Sequence, residues 1–154
     1  MNIGVSTASF YPLETELSLE NLGKAGIKHT EVFFNAACEL KQSFIDMLTD
    51  IKEEYGISVA SVHPTMSLAE SFMIFSAYER RYREAEEAYR RYSEAAAQLG
   101  AKYIIMHGGK PNGILSDEEY CERYMRLNEI TKENGVQVLQ ELSLIHISEL
   151  TRPY

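Results

Sequence analysis

The residues able to do chemistry stand at the ends of apolar runs. Ser61-Val62-His63-Pro64, Ile105-Met106-His107-Gly108-Gly109 and Val138-Leu139-Gln140-Glu141 each carry a β-like run into an imidazole or a carboxylate. Two imidazole nitrogens and a carboxylate oxygen are the donors a borderline divalent cation prefers. Neighbouring strands lie roughly 4.8 Å apart, so end groups on adjacent strands can converge on one ion. A single histidine at a strand end is ordinarily hydrogen-bonded locally. Three donors at comparable register on successive strands make a shared metal the stronger reading for His63, His107 and Glu141. Gly108-Gly109 lets backbone approach a ligand closely, or simply makes a tight turn.

Two charged residues stay open. Glu31, inside Thr30-Glu-Val-Phe-Phe34, is costly to bury unless paired. It either faces the carboxyl edge, where it would meet substrate, or pairs with a Lys or Arg. Lys110 offers a charge to an anionic substrate, and equally fits a surface lysine. The segment Pro64–Ser76 contains Met66, Phe72, Met73, Ile74 and Phe75. It reads as a lid or pocket wall over the same edge, or as packing against the helix that follows.

The elements that must position these groups are punctuated by glycine. Ala25-Gly26-Ile27, Tyr55-Gly56-Ile57, Leu99-Gly100-Ala101 and Asn134-Gly135-Val136 each join a helical pattern to a β-rich run. Glycine just past a helix end takes the left-handed conformation without a Cβ clash. Strands are expected at 2–6, 29–34, 57–62, 102–106 and 136–140. Helices are expected at about 18–25, 43–55, 77–98 and 116–133. Ser18, Ser43 and Ser116 are candidate N-caps, and only Ser116 with Glu119 has the full capping box. In the third helix Tyr78, Tyr82, Ala85, Tyr89, Tyr92, Ala96 and Leu99 form one apolar stripe. The Arg and Glu residues between them fill a solvated face.

Alternating β and α elements imply an α/β fold with right-handed crossovers and a parallel sheet. A five-stranded flavodoxin-like sheet fits the 154 residues. A (β/α)8 barrel fits the repeat but needs about 250 residues. The net charge of −8, from 15 basic and 23 acidic residues, leaves no basic footprint for a phosphate backbone. No apolar run reaches the roughly 20 residues of a membrane span, and no secretory signal is visible. Cys38 and Cys121 form no disulfide framework or zinc motif, so a cytoplasmic setting is expected.

The ordered series Ile3-Gly-Val-Ser6, Thr30-Glu-Val-Phe33, Val62-His-Pro64, Met106-His-Gly-Gly109 and Val138-Leu-Gln-Glu141 resembles the sugar phosphate isomerase/epimerase superfamily. These are the xylose isomerase-like TIM barrels, related to the apurinic endonuclease family. The resemblance implies a partial barrel over 1–141, the first five strands and four helices of a (β/α)8 fold. It implies a divalent metal (Mn, Mg, Zn or Co) on Glu141, with His63 and His107 matching metal-binding histidines of the endonuclease branch or substrate-contacting ones of the isomerases. The family's later Asp, His and Glu ligands have no counterpart here, so this chain is expected to be inactive alone. Residues 142–154 (LSLIHISELTRPY) resemble an in-frame translated sequencing adapter and are read as a non-native tail, which removes His146 from the candidates.

Three functions compete. The first is a metal-dependent isomerase or epimerase of a sugar, sugar phosphate or related hydroxy-carbonyl compound, with Glu31 contacting the carbohydrate-like substrate. The second is a metal-dependent phosphodiesterase resembling apurinic endonucleases, against which the net charge counts. The third is a non-catalytic flavodoxin-like binding module. Neither nucleic acid nor membrane is favoured as a partner, and a homo-oligomeric full-length protein stays open.

Overall fold

The computed structural model describes residues 3–64, 67–108 and 115–141. Within them five parallel strands form one sheet in the order β1-β2-β3-β4-β5. The strands are β1 (Val5–Ser6), β2 (His29–Phe33), β3 (Ser58–His63), β4 (Tyr103–His107) and β5 (Gln137–Glu141). Four helices connect them in the places the sequence indicates: α1 (Thr15–Lys24), α2 (Gln42–Tyr55), α4 (Glu79–Leu99) and α5 (Asp117–Lys132). A fifth, α3 (Ser67–Ile74), lies in the Pro64–Ser76 segment after β3. The consecutive strand order overturns the flavodoxin-like alternative. That fold reverses its strand order at a switch point, and no reversal occurs among the described strands.

One face of the sheet is the core side. Val32, Val59, Val62, Ile104, Met106 and Val138 are buried there against Leu19, Ile45, Leu48, Leu99 and Leu127 of the helices. The other face carries Glu31, Phe33, Ser61, Tyr103, Ile105 and Leu139, which are only partly covered or exposed. Strands buried on one side by helices and open on the other are what an arc of a barrel presents.

Local chemistry explains the element boundaries. The four junction glycines take φ between 61° and 79°, the left-handed region that residues with a Cβ avoid. Ser116 caps α5 as expected: its hydroxyl accepts from Glu119 N at 3.2 Å, and Glu119 returns a carboxylate to Ser116 N at 2.8 Å. The other two cap expectations are corrected. Helix α1 begins at Thr15, so Ser18 lies in its first turn and its hydroxyl donates to Leu13 O at 3.3 Å. Helix α2 begins at Gln42 after Lys41. The stripe on α4 is buried from Tyr82 to Leu99, whereas Tyr78 flanks the helix and is exposed.

A β-bulge sets the geometry that matters for function. Thr30 pairs with Val59, but Glu31 pairs with Ser61, leaving Ala60 as the extra residue on β3. Side chains alternate faces along a strand, and one extra residue reverses the alternation beyond it. Val59 and Val62 therefore both face the helices, while Ser61 and His63 turn to the open face beside Glu31 and Phe33.

Candidate metal centre

Three strands deliver their terminal groups to one place. The bulge turns His63 of β3 inward, and in-register pairing sets His107 of β4 beside Glu141 of β5. His63 Nε2 lies 3.2 Å from His107 Nε2. Glu141 Oε2 lies 3.8 Å from His63 Nε2 and 3.7 Å from His107 Nε2. The three residues are the group of donors among the described residues placed to share a metal ion. His63 is buried, His107 half-buried, and Glu141 open to solvent.

The other ring nitrogens are turned toward carboxylates. His107 Nδ1 is 3.0 Å from Glu70 Oε2, and His63 Nδ1 is 3.5 Å from Glu31 Oε1. An ionised carboxylate only accepts, so a neutral imidazole facing one carries its proton on Nδ1 and leaves Nε2 a bare lone pair. At 3.2 Å the two Nε2 atoms can share a proton or face one cation. A triangle with sides of 3.2, 3.7 and 3.8 Å has its corners about 2.1 Å from a common point, the length of a zinc–nitrogen or zinc–oxygen bond. The spacing of the three donors thus suits one divalent cation.

Electrostatics agree with this arrangement. The hydrogen bond to Glu70 raises the His107 pKa above its ordinary value against the effect of burial, with the charges of Glu70, Glu141 and Glu31 adding to it. Burial pushes the Glu31 carboxyl up, but the hydrogen bond and charge of His63, with the Ser6 and Ser61 hydroxyls, hold it below the ordinary value. Ser61 Oγ donates to Glu31 Oε2 at 3.1 Å. Glu31 therefore does both things left open by the sequence: it faces the cluster and it is paired, with a histidine rather than the expected Lys or Arg.

The glycine after His107 makes room for protein rather than for a ligand. A Cβ at Gly108 would collide with the Gln140 amide nitrogen and lie 3.3 Å from Tyr120 Oη. In the segment read as a lid, Ile74 and Phe75 are buried and Met73 packs against the core, leaving Phe72 exposed. This is mainly the packing alternative. Met66, Gly109, Lys110 and the 142–154 segment lie outside the described residues.

Glu70 escaped the sequence reading. Its Oε2 accepts from both the backbone N and Nδ1 of His107 at 3.0 Å, and its Oε1 accepts from Tyr89 Oη at 2.6 Å. A signal existed, since a lone carboxylate among Leu68, Phe72, Met73 and Ile74 is as anomalous as Glu31 in its strand. Tyr89, assigned to the apolar stripe, is buried as expected but also carries this hydrogen bond.

No family model matches the chain. No curated protein is similar to it in sequence. Solved structures do share its fold. A D-tagatose 3-epimerase-like protein superposes with a TM-score of 0.73 at 20% identity, over 91% of this chain and 52% of its own. A sugar phosphate isomerase/epimerase from Parabacteroides distasonis gives 0.62 at 20% identity, over 90% and 50%. An AP endonuclease of family 2 from Brucella melitensis gives 0.68 at 13%, over 91% and 55%. The chain therefore shares the barrel-type α/β fold of these structures, and it spans about half their length.

Proposed function

We propose that the chain carries the first five strands and part of the metal site of a divalent-metal-dependent isomerase or epimerase. Its substrate class is a sugar, a sugar phosphate or a related hydroxy-carbonyl compound. The observation that carries this reading is the His63–His107–Glu141 triangle, sized for one cation, at the carboxyl edge of a fold shared with sugar epimerases. His63, His107 and Glu141 would hold Mn, Mg, Zn or Co through Nε2, Nε2 and a carboxylate oxygen. The ion supplies Lewis-acid polarisation of a substrate carbonyl or hydroxyl oxygen. Glu31, kept ionised beside the cluster, accepts a hydrogen bond from a substrate hydroxyl. The Phe33 ring, 4.8 Å from the His63 ring, adds an apolar wall. In this reading residues 1–141 are the partial barrel and 142–154 a non-native tail.

A metal-dependent phosphodiesterase is the second reading, favoured by two imidazoles in the cluster and by the likeness to the Brucella endonuclease structure. The net charge of −8 opposes it, since phosphate contacts need a basic surface. Manganese-enhanced water relaxation separates the two without requiring turnover. Mn2+ bound to the chain should enhance relaxation, and a ketose or ketose phosphate should lower the enhancement by displacing bound water. Displacement by an abasic-site phosphodiester and not by ketoses would move the assignment to the second reading. No enhancement with Mn2+ would sink both.

A further inference from the structure

Glu70 is a carboxylate only 6% exposed, on a helix that contributes no donor to the triangle. A buried ion is retained only when hydrogen bonds replace its lost hydration. Glu70 receives three, from Tyr89 Oη at 2.6 Å and from His107 N and Nδ1 at 3.0 Å each. Both His107 bonds fall on one oxygen, so the carboxylate grips backbone and ring together and allows the imidazole little rotation.

The grip is set from outside the sheet. Ser71 Oγ donates to Gly108 O at 3.1 Å, tying α3 to the residue after His107. Arg123 of α5 donates to Ile74 O at 2.6 Å and Ser76 O at 2.7 Å, closing the carboxyl end of α3. Phe75 stacks on Tyr120 with centroids 4.1 Å apart. Pro64, Met73, Ala85 and Ala88 line an apolar cavity against Glu70 and Tyr89, and hydrogen bonds are stronger in such a low-dielectric setting.

We propose that Glu70 is a positioning residue for the metal site. Held by Tyr89, it fixes the Nδ1–H tautomer and the ring plane of His107, and so presents Nε2 as a donor toward His63 and Glu141. The metal half of this inference rests on the metal reading above; the tautomer half does not. A carboxylate behind a ligating histidine raises its basicity and prepays its orientation.

The test uses the 154-residue chain with 15N-labelled histidines, free of metal and at alkaline pH where imidazoles are neutral. Two-bond 1H–15N spectra distinguish the tautomers, and a Mn2+ titration gives affinity. Wild type should show His107 as the Nδ1–H form. Glu70→Ala should move it toward Nε2–H and weaken Mn2+ about ten- to a hundredfold. Glu70→Gln is the conservative variant, because its amide oxygen can take the same two N–H groups while the amide NH2 faces Tyr89 Oη. It should keep the tautomer and restore most of the affinity. Tyr89→Phe, which leaves the His107 contacts in place, should keep the tautomer with a smaller loss. An Nε2–H tautomer in wild type overturns the proposal. So does an unchanged tautomer in Glu70→Ala, or Glu70→Gln losing as much affinity as Glu70→Ala, the pattern of a merely structural carboxylate. If wild type binds no Mn2+ but shows the Glu70-dependent tautomer, the metal reading falls and the positioning of His107 stands.

Discussion

Removing one corner of the His63–His107–Glu141 triangle should separate a built site from a scatter of acidic groups. Ligand that binds only the folded state stabilises it by about 2.7 kcal/mol at a concentration of 100 Kd. For a chain of this size that raises the melting temperature by about 5–11 °C, at about 2–4 °C per kcal/mol. His107→Ala leaves two donors, His63 and Glu141, 3.8 Å apart. Loss of a partner behind a ligand costs about ten- to a hundredfold in affinity, and loss of the ligand itself costs at least that. At the same metal concentration the remaining stabilisation is about 1.4 kcal/mol or less, half the wild-type shift at most. The assay is thermal melting by circular dichroism, with Mn2+ or Co2+ added and then withdrawn by chelation. Glu79→Gln, on the exposed face of α4 beside Arg83, is the control and should retain the full shift. Equal shifts in wild type and His107→Ala would show that the ion binds elsewhere, and the site assignment would be refuted.

Three further outcomes are expected. A Cβ at Gly23 would lie 2.7 Å from Tyr55 Cβ and 2.8 Å from Cδ1, close to the rigid root of the ring where α1 meets α2. Gly23→Ala should therefore destabilise by up to about 2 kcal/mol, overpacking of about 1–3 kcal/mol outweighing a helix-propensity gain of about 1 kcal/mol; a raised melting temperature would show that the helices part freely. Burial, then the neighbouring Glu86, pushes the Tyr82 hydroxyl up to about 12. Since the unfolded chain ionises near pH 10, Tyr82 contributes stability below that pH and loses it as pH rises from about 10 to about 12. Comparing Tyr82→Phe with wild type in alkaline melts checks this, and identical pH dependence would contradict it. Finally, the 154-residue chain should show no isomerase turnover and should self-associate on size exclusion, because Tyr103 and Leu139 stand exposed on the open face of the sheet. A monodisperse monomer with turnover would contradict that expectation.

Most of the scaffold was legible in the sequence. Four helix–Gly–strand junctions repeat a local rule, and each needs only neighbours in sequence, so strands, principal helices and their parallel arrangement follow from short-range pattern. The fate of His107 and Glu141 was legible for the same reason: their strands run without interruption, and like positions at like ends arrive side by side. His63 was not. Strict alternation from the buried Val59 would aim it at the helices, and only the bulge at Ala60 turns it to the open face. A bulge depends on how β3 must pair with β2, which no property of β3 alone expresses. The same holds for Glu70. Its meeting with His107 spans 37 residues and depends on α3 being pinned by α4 and α5. The sequence by itself determined which donors exist and at which strand ends they stand. Tertiary packing decided which way His63 points and which nitrogen of His107 faces the others, because both are settled by contacts between segments distant in the chain.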